Sequence, residues 1–127
     1  MVVVKTKEIG ECTLKLTKTM NKFEMHLSKG KEPIFSLPFT EHKNVAEIEK
    51  LDHYYDSPKT FGEKRKRSKE LMILHDFMEE VMQEKGLVVR GSTTAANARA
   101  LKKRGWRVRL NNIKTVGEFE KNFRRRK

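Results

Sequence analysis

Alternation dominates the first forty residues. Cys12, Leu14 and Leu16 stand against Thr13, Lys15 and Thr17, and Phe23, Met25 and Leu27 stand against Glu24, His26 and Ser28. A period of two sends the apolar set to one face of a strand and the polar set to the other. Residues 2–8 begin with three valines, and Ile34, Phe35, Ser36 and Leu37 lie between Pro33 and Pro38, as a strand end or edge would. Gly10, Asn21 and Gly30 fall where turns are needed. The pattern predicts an N-terminal antiparallel β-meander of three to four strands over residues 1–39, with one buried face.

After Pro38 the spacing becomes helical. Val45, Ile48, Leu51 and Tyr55 predict a short helix over residues 45–55, capped by Asn44 and ended by Asp56, Ser57 and Pro58. Leu71, Leu74, Phe77, Met78, Val81 and Met82 form an apolar stripe, which predicts a long helix over residues 63–85 closed by Gly86. Residues 44–86 thus read as helical. The long helix opens on Lys64, Arg65, Lys66 and Arg67, at the end where the helix dipole is already positive. That placement fits either a frayed, solvated start or an anionic partner.

Residues 87–123 read as strand, helix, strand, helix. Residues 87–90 are a short strand. Ser92 or Thr93 caps a helix over 93–104, and Gly105 stops it. Thr94, Ala98 and Leu101 form its packing side, with Ala95, Arg99, Lys102 and Lys103 opposite. Trp106, Val108 and Leu110 alternate with Arg107 and Arg109 in the next strand, with Trp106 expected in the core. Thr115 and Glu118 have capping-box spacing and open a last helix carrying Phe119 and Phe123 on one side. The expected class is α+β: the meander, a central long helix, and a C-terminal strand–helix–strand–helix. The run from Ala98 to Trp106 resembles the end of a winged-helix recognition helix. That resemblance gives a winged-helix-like alternative in which 70–85 supports, 93–104 reads and 106–114 is the wing.

A length of 127 residues suits one domain. No apolar run approaches a membrane span, and the opening valines are too short for a signal-peptide core. The single cysteine, Cys12, forms no internal disulfide and reads as core, which favours an intracellular, cytoplasmic setting. Charge changes the picture more. Residues 1–89 carry 16 Lys/Arg against 15 Asp/Glu, whereas residues 90–127 carry 13 against 2. Almost all of the net charge of +12 therefore lies in the last third of the chain. Clustered cations repel one another, so such a cluster points to an anionic partner.

Candidate chemistry is sparse. Asp52, His53, Tyr54, Tyr55 and Asp56 are the one stretch with catalytic residue types, but on a helix only Asp52 and Asp56 share a face. The remaining histidines are scattered, with no metal-ligand spacing. Gly91, Ser92 and Thr93 could offer helix N-terminal amides to a phosphate, without a nucleotide-binding pattern around them. These readings assign no catalytic residue, no metal and no cofactor. The leading expectation is a small, non-enzymatic nucleic-acid-binding protein, DNA or RNA, held mainly through the phosphate backbone with weak sequence preference. An accessory role in a phage or mobile element fits it. Its surface would combine Arg90, Ser92, Thr93, Asn97, Arg99, Lys102, Lys103, Arg104, Arg107, Arg109 and the tail of Arg124, Arg125, Arg126 and Lys127. The alternatives are an anti-CRISPR-like inhibitor or adaptor bound to an acidic or nucleoprotein partner, and a nuclease or strand-transfer enzyme using Tyr54 or Tyr55 with Asp52 and His53.

Overall fold

The computed structural model describes residues 1–113 and 115–123. The first four strands, β1 (Val2–Ile9), β2 (Cys12–Thr19), β3 (Lys22–Lys29) and β4 (Glu32–His42), pair in sequence and antiparallel. The alternation decides which side is covered. Leu16, Met25 and Leu37 are cross-strand neighbours and buried, as are Leu14, Leu27 and Phe35. Phe23 and Phe39 stack with ring centroids 5.0 Å apart.

The helix expected over 45–55 is not formed. Residues Val45–Ile48 make β5 and Asp52–His53 make β6, and both pair with β4. Ala46 and Ile48 are buried while Glu47 is exposed, a period of two. Over so short a stretch, apolar residues three and four apart satisfy either period, and the open edge of β4 decides between them. Register then slips: Phe39 faces Ile48 but Ser36 faces Asp52, so Glu49, Lys50 and Leu51 lie opposite only Leu37 and Pro38. This is a β-bulge. Pro38 has no amide to donate, and its carbonyl accepts from Glu49 N at 3.1 Å. The ladder is one bond short just where the extra residue is absorbed.

Helix α1 (Phe61–Lys85) carries the chain back across the sheet. Thr60 caps it, its hydroxyl accepting from Glu63 N at 3.1 Å, and the Glu63 carboxylate accepts from Lys59 N at 2.8 Å. Gly86, at φ 65°, closes it in the left-handed conformation that favours glycine. The chain then enters β7 (Val88–Thr94), parallel to β5, with Val45 facing Val88 and Ile48 facing Gly91. Helix α2 (Ala95–Lys103) follows, then β8 (Arg107–Leu110) and β9 (Val116–Asn122). Ala95 lies with Ala98 and Leu101 on the buried side of α2, one position from the expected stripe.

The last helix expected from Thr115 is strand β9, set between β7 and β8. Four is an even number, so Phe119 and Phe123 share a face in a strand as well as in a helix. Gly117 and Phe119 are buried while Glu118 and Glu120 are exposed. Asn111 Oδ1 takes the amides of Thr115 and Val116, in place of a capping box.

The whole is a mixed sheet of nine strands among the described residues, in the order β1-β2-β3-β4-β5-β7-β9-β8, with β6 also on β4. This corrects the expected arrangement of an N-terminal meander, a central long helix and a C-terminal strand–helix–strand–helix. Strands from both halves of the chain form one sheet because β5 and β7 pair through the α1 crossover. The winged-helix alternative falls with it: β7 is an interior strand, and α2 lies on the sheet beside α1. No helix of the described residues is long and apolar enough to cross a membrane.

Both helices cover the same face. Glu79 of α1 joins them: its carboxylate accepts from Trp106 Nε1 at 2.8 Å and from Arg104 Nε and Nη2 at 3.1 Å, and Arg104 also binds Asp76. Trp106 packs edge-on against Phe119 and Phe123. At the other end of α1, buried Glu70 is paired at 2.7 Å with both Lys29 and Arg67. Burial alone would raise the pKa of Glu70 and Glu79, but these partners outweigh it and hold both below the usual carboxylate range. A depressed carboxylate stabilises the fold fully above its unfolded pKa, about 4.3, and loses that contribution as pH falls through its folded value. We therefore expect the urea midpoint to drop below about pH 4. Glu79→Gln should blunt that drop and cost about 2 kcal/mol at neutral pH, measured by urea unfolding across pH.

Candidate active site

The parallel pairing of β5 with β7 ends at Ile48 and Gly91. Beyond that point the bulge swings the chain toward β4, where β6 pairs with Phe35 and Ser36, while β7 continues beside β9 as far as Thr94. The two strands part, and a gap opens between the 49–52 segment and Ser92–Thr93. It lies at the carboxyl ends of parallel strands joined by a crossover helix, where ligands bind in open α/β sheets. Gly91 is fitted to the mouth of the gap. A Cβ there would lie 2.7 Å from Phe119 Cζ and 3.0 Å from Ile48 O, so the ring tip occupies the space a side chain would take.

On the helix face the gap opens into a small cavity of about 40 Å³. Leu37, Ile48, Leu51, Met78, Leu101 and Phe119 supply apolar walls, and Lys50, His75, Ser92, Thr93 and Asn97 supply polar atoms. Asn97 Nδ2 donates to Thr93 Oγ1 at 3.4 Å. Burial lowers the pKa of His75, and Arg104 lowers it further against the opposing pull of Glu79 and Asp76. The imidazole is therefore neutral at pH 7 and can offer a hydrogen bond without a charge.

At the same end of the sheet stands the start of α1. The helix is formed from Phe61, so its basic opening is not a frayed end. Lys64, Arg65 and Lys66 are exposed on its first two turns, and Lys66 joins Lys59 and Arg67 in lining a recess of about 590 Å³ against the 54–59 loop, whose walls also carry Glu32, Asp56 and Glu63. Among the described residues, Lys59, Lys64, Arg65 and Lys66 have no carboxylate within ion-pair distance. Their charge adds to that of the helix N-terminus and suits an anion.

Among the described residues, the cations expected to form one surface from the last third of the chain do not share a face. Strand alternation puts Arg90, Arg107 and Arg109 on the face away from the helices. There Arg90 is paired with Glu47 at 2.9 Å, and Arg107 and Arg109 lie in register with Glu120 and Glu118. Arg104 is held by Glu79 and Asp76. Arg99, Lys102 and Lys103 are exposed on α2, on the opposite side of the sheet from the other three arginines. Ser92 and Thr93 border the gap and Asn97 its cavity. Arg124, Arg125, Arg126 and Lys127 lie outside the described residues.

Asp52 and His53 form β6 rather than a helix end, and Tyr54 to Asp56 follow as loop. Tyr55 packs edge-on to Phe35 under the Arg67 guanidinium, and burial raises its pKa, the reverse of what a phenolate nucleophile needs. Among the described residues no group of three or more His, Cys, Asp or Glu is placed to hold a metal. His75 and Leu101 were missed as site residues because each sits in an ordinary amphipathic stripe. Gly91, inside an apolar strand pattern, was the available signal of a close approach.

No protein-family model matches the chain, and no curated protein matches it in sequence. Solved structures do match its fold. The ribosomal-protein-S18-alanine N-acetyltransferase from Escherichia coli superposes with a TM-score of 0.63 at 7% identity, over 87% of this chain and 74% of that one. Aminoglycoside 6'-acetyltransferase type Ii gives 0.62 at 12% identity, over 86% and 74%. A probable acetyltransferase of the GNAT family from Chromobacterium violaceum ATCC 12472 gives 0.59 at 10% identity, over 93% and 91%. The likeness is one of fold, a GNAT-like acetyltransferase fold. It overturns the expectation of a non-enzymatic nucleic-acid-binding protein, and with it the nucleic-acid and nucleoprotein partners and the nuclease alternative, because each of these neighbours is an acetyltransferase.

Gly91→Val should press on Phe119 and on the Ile48 carbonyl, costing about 2 kcal/mol by urea unfolding. It should also abolish whatever ligand binding the gap supports. Thr94→Ser, at the exposed end of the same strand, keeps the hydroxyl that caps α2 by accepting from Asn97 N and should leave the gap and its binding intact.

Proposed function

We propose that this chain is an acyltransferase that moves an acyl group, acetyl in the first instance, from a coenzyme A thioester to an amine. One observation carries the reading: the bulge-driven gap between β5 and β7, in a fold otherwise seen here on acetyltransferases. The donor's chemistry fits the residues present. A diphosphate needs helix N-terminal amides with positive charge beside them, and the start of α1 offers both, with Lys59 and Lys66 at the recess and Lys64 and Arg65 exposed on the same turns. A thin arm with amide groups needs a slot with exposed strand edges and few charges, and the gap beside Ser92 and Thr93 is one. The apolar cavity beneath, with neutral His75, would receive the acyl end and exclude water from it.

The thioester supplies an activated carbonyl. The amine lone pair forms the new C–N bond, the C–S bond breaks, and the electron pair leaves on sulfur; the proton lost by nitrogen balances the one sulfur gains. The chain's part is to hold the two reactants together in the gap, which is worth several kcal/mol without any covalent chemistry of its own. Such a donor also fits an intracellular setting. The chemistry of the acceptor in the first two named neighbours, a ribosomal-protein alanine and an aminoglycoside, belongs to those proteins.

Calorimetric titration with acetyl-CoA tests this directly. We expect saturable binding that weakens with salt, since phosphate contacts are screened. Lys64→Glu with Lys66→Glu should weaken it about tenfold or more, equivalent to roughly 1.4 kcal/mol, with no change in thermal midpoint. Absence of binding at about 1 mM acetyl-CoA, a level that would reveal an affinity of roughly −4 kcal/mol, would refute the reading.

A further inference from the structure

The helix-free face of the sheet carries charges in rows. Across β5, β7, β9 and β8, the register places Glu47 beside Arg90, Arg90 beside Glu120, and Glu120 beside Arg107. Two residues further on, Ser92 stands beside Glu118, and Glu118 beside Arg109. The first row alternates in sign from end to end. In the second, a serine holds the β7 position that Arg90 holds in the first. Glu118 therefore has a cation on one side only, and its other side looks onto the Ser92 hydroxyl and the gap. Among the described residues, Glu118, Glu120, Arg107 and Arg109 form no ion pair within 4.0 Å, while Arg90 and Glu47 neutralise each other.

These side chains wall a groove of about 550 Å³. Its floor includes Ile48, Ser92 and Phe119, which also line the cavity on the helix face. The two recesses thus meet at the parting of β5 and β7. A ligand lying in the groove has one end at the gap and the other over the edge strand β8.

We infer that this groove is the acceptor site, and that it takes a small zwitterion whose primary amine seats between Glu118 and Ser92 and whose carboxylate reaches Arg109 and Arg107. The inference rests on the acyltransferase reading for its chemistry, though not for its binding. Adjacent strands are about 4.8 Å apart, and Ser92, Glu118 and Arg109 lie on the successive strands β7, β9 and β8, so the amine position is one to two strand spacings from the arginines of β8. The amine and the anion should therefore be separated by about 5–10 Å, as in a lysine side chain and its own carboxylate. A polyamine would meet two arginines and a polyanion two glutamates. Opposite charges at opposite ends satisfy both, and the like-charge alternatives are repelled.

Backbone amide shifts in a nuclear magnetic resonance titration, without any donor present, test the site. The probes are ε-aminohexanoate, hexylamine and hexanediamine. We expect ε-aminohexanoate to shift the amides of Ser92, Glu118 and Arg109, and to bind at least about tenfold more tightly than the other two, a difference of roughly 1.4 kcal/mol. Glu118→Gln should weaken all three amines about tenfold. Arg107→Gln with Arg109→Gln should erase the preference for the carboxylate and leave hexylamine unaffected. All three substitutions are on exposed side chains and should leave acetyl-CoA binding unchanged. Equal binding of ε-aminohexanoate and hexylamine, or shifts confined to other surfaces, would overturn the inference while acetyl-CoA binding still upholds the acyltransferase reading. Loss of acetyl-CoA binding in the unaltered chain would overturn that reading and leave the groove's selectivity to stand or fall on the shifts.

Discussion

One residue too many between Ile48 and Asp52 is the constraint on which the site depends. Had Glu49, Lys50 and Leu51 matched Leu37 and Pro38 one for one, β6 would have prolonged the parallel ladder beside β7 and closed the gap over Ser92. The bulge is stable because its cost is small where it occurs. Pro38 has no amide for a regular ladder to use, and its carbonyl is satisfied by Glu49. Gly91 completes the arrangement from the other strand, letting the tip of Phe119 fill the floor where any side chain would force the strands further apart. The opening is thus built from backbone accounting more than from any catalytic side chain.

A gap between strands is useful only if it has walls. The helix side is walled because α1 and α2 lie on the same face of the sheet, and the Glu79 carboxylate ties the end of α2 to α1. It draws Arg104 and the Trp106 indole, the two residues that flank Gly105 at the end of α2, onto the middle of α1. Trp106 in turn rests on Phe119, the same ring that floors the gap. Packing, polar contact and site are mechanically continuous through that ring. The other side of the sheet has no helix among the described residues, which leaves its charged rows accessible from solvent up to the gap itself.

How much of this could be read from residues alone depends on how long a pattern persists. In β2 and β3, alternation over six or more positions leaves one solution, and the buried faces follow from it. The stripe of α1 runs over three turns and is closed by Gly86, so its limits are legible to within two residues. At 45–55 and 116–122 the apolar residues are too few to separate a period of two from one of 3.6. There the neighbouring strand edges decided the outcome, which is non-local information. The bulge is less legible still, because it is a mismatch between two segments and belongs to neither. The site inherits that illegibility: Leu51 comes from the bulged segment and His75, Ser92 and Leu101 from α1, β7 and α2, and only the sheet order brings them together.

Net charge misleads for a related reason. The excess of cations in residues 90–127 is real along the chain but has no single direction in space. The alternation that buries Trp106 and half-buries Val108 turns Arg107 and Arg109 to the helix-free face, where β9 presents Glu118 and Glu120 to them. Arg104 is consumed in holding the helices together, and the exposed cations of α2 point away from both. By contrast, the cations best placed for a phosphate, Lys64, Arg65 and Lys66, sit in the part of the sequence whose total is almost zero. Opposing carboxylates elsewhere in that segment hide them from any sum, yet among the described residues none lies within ion-pair reach of these three. Which charges are available is a question of register and helix ends, and the sheet order answers it.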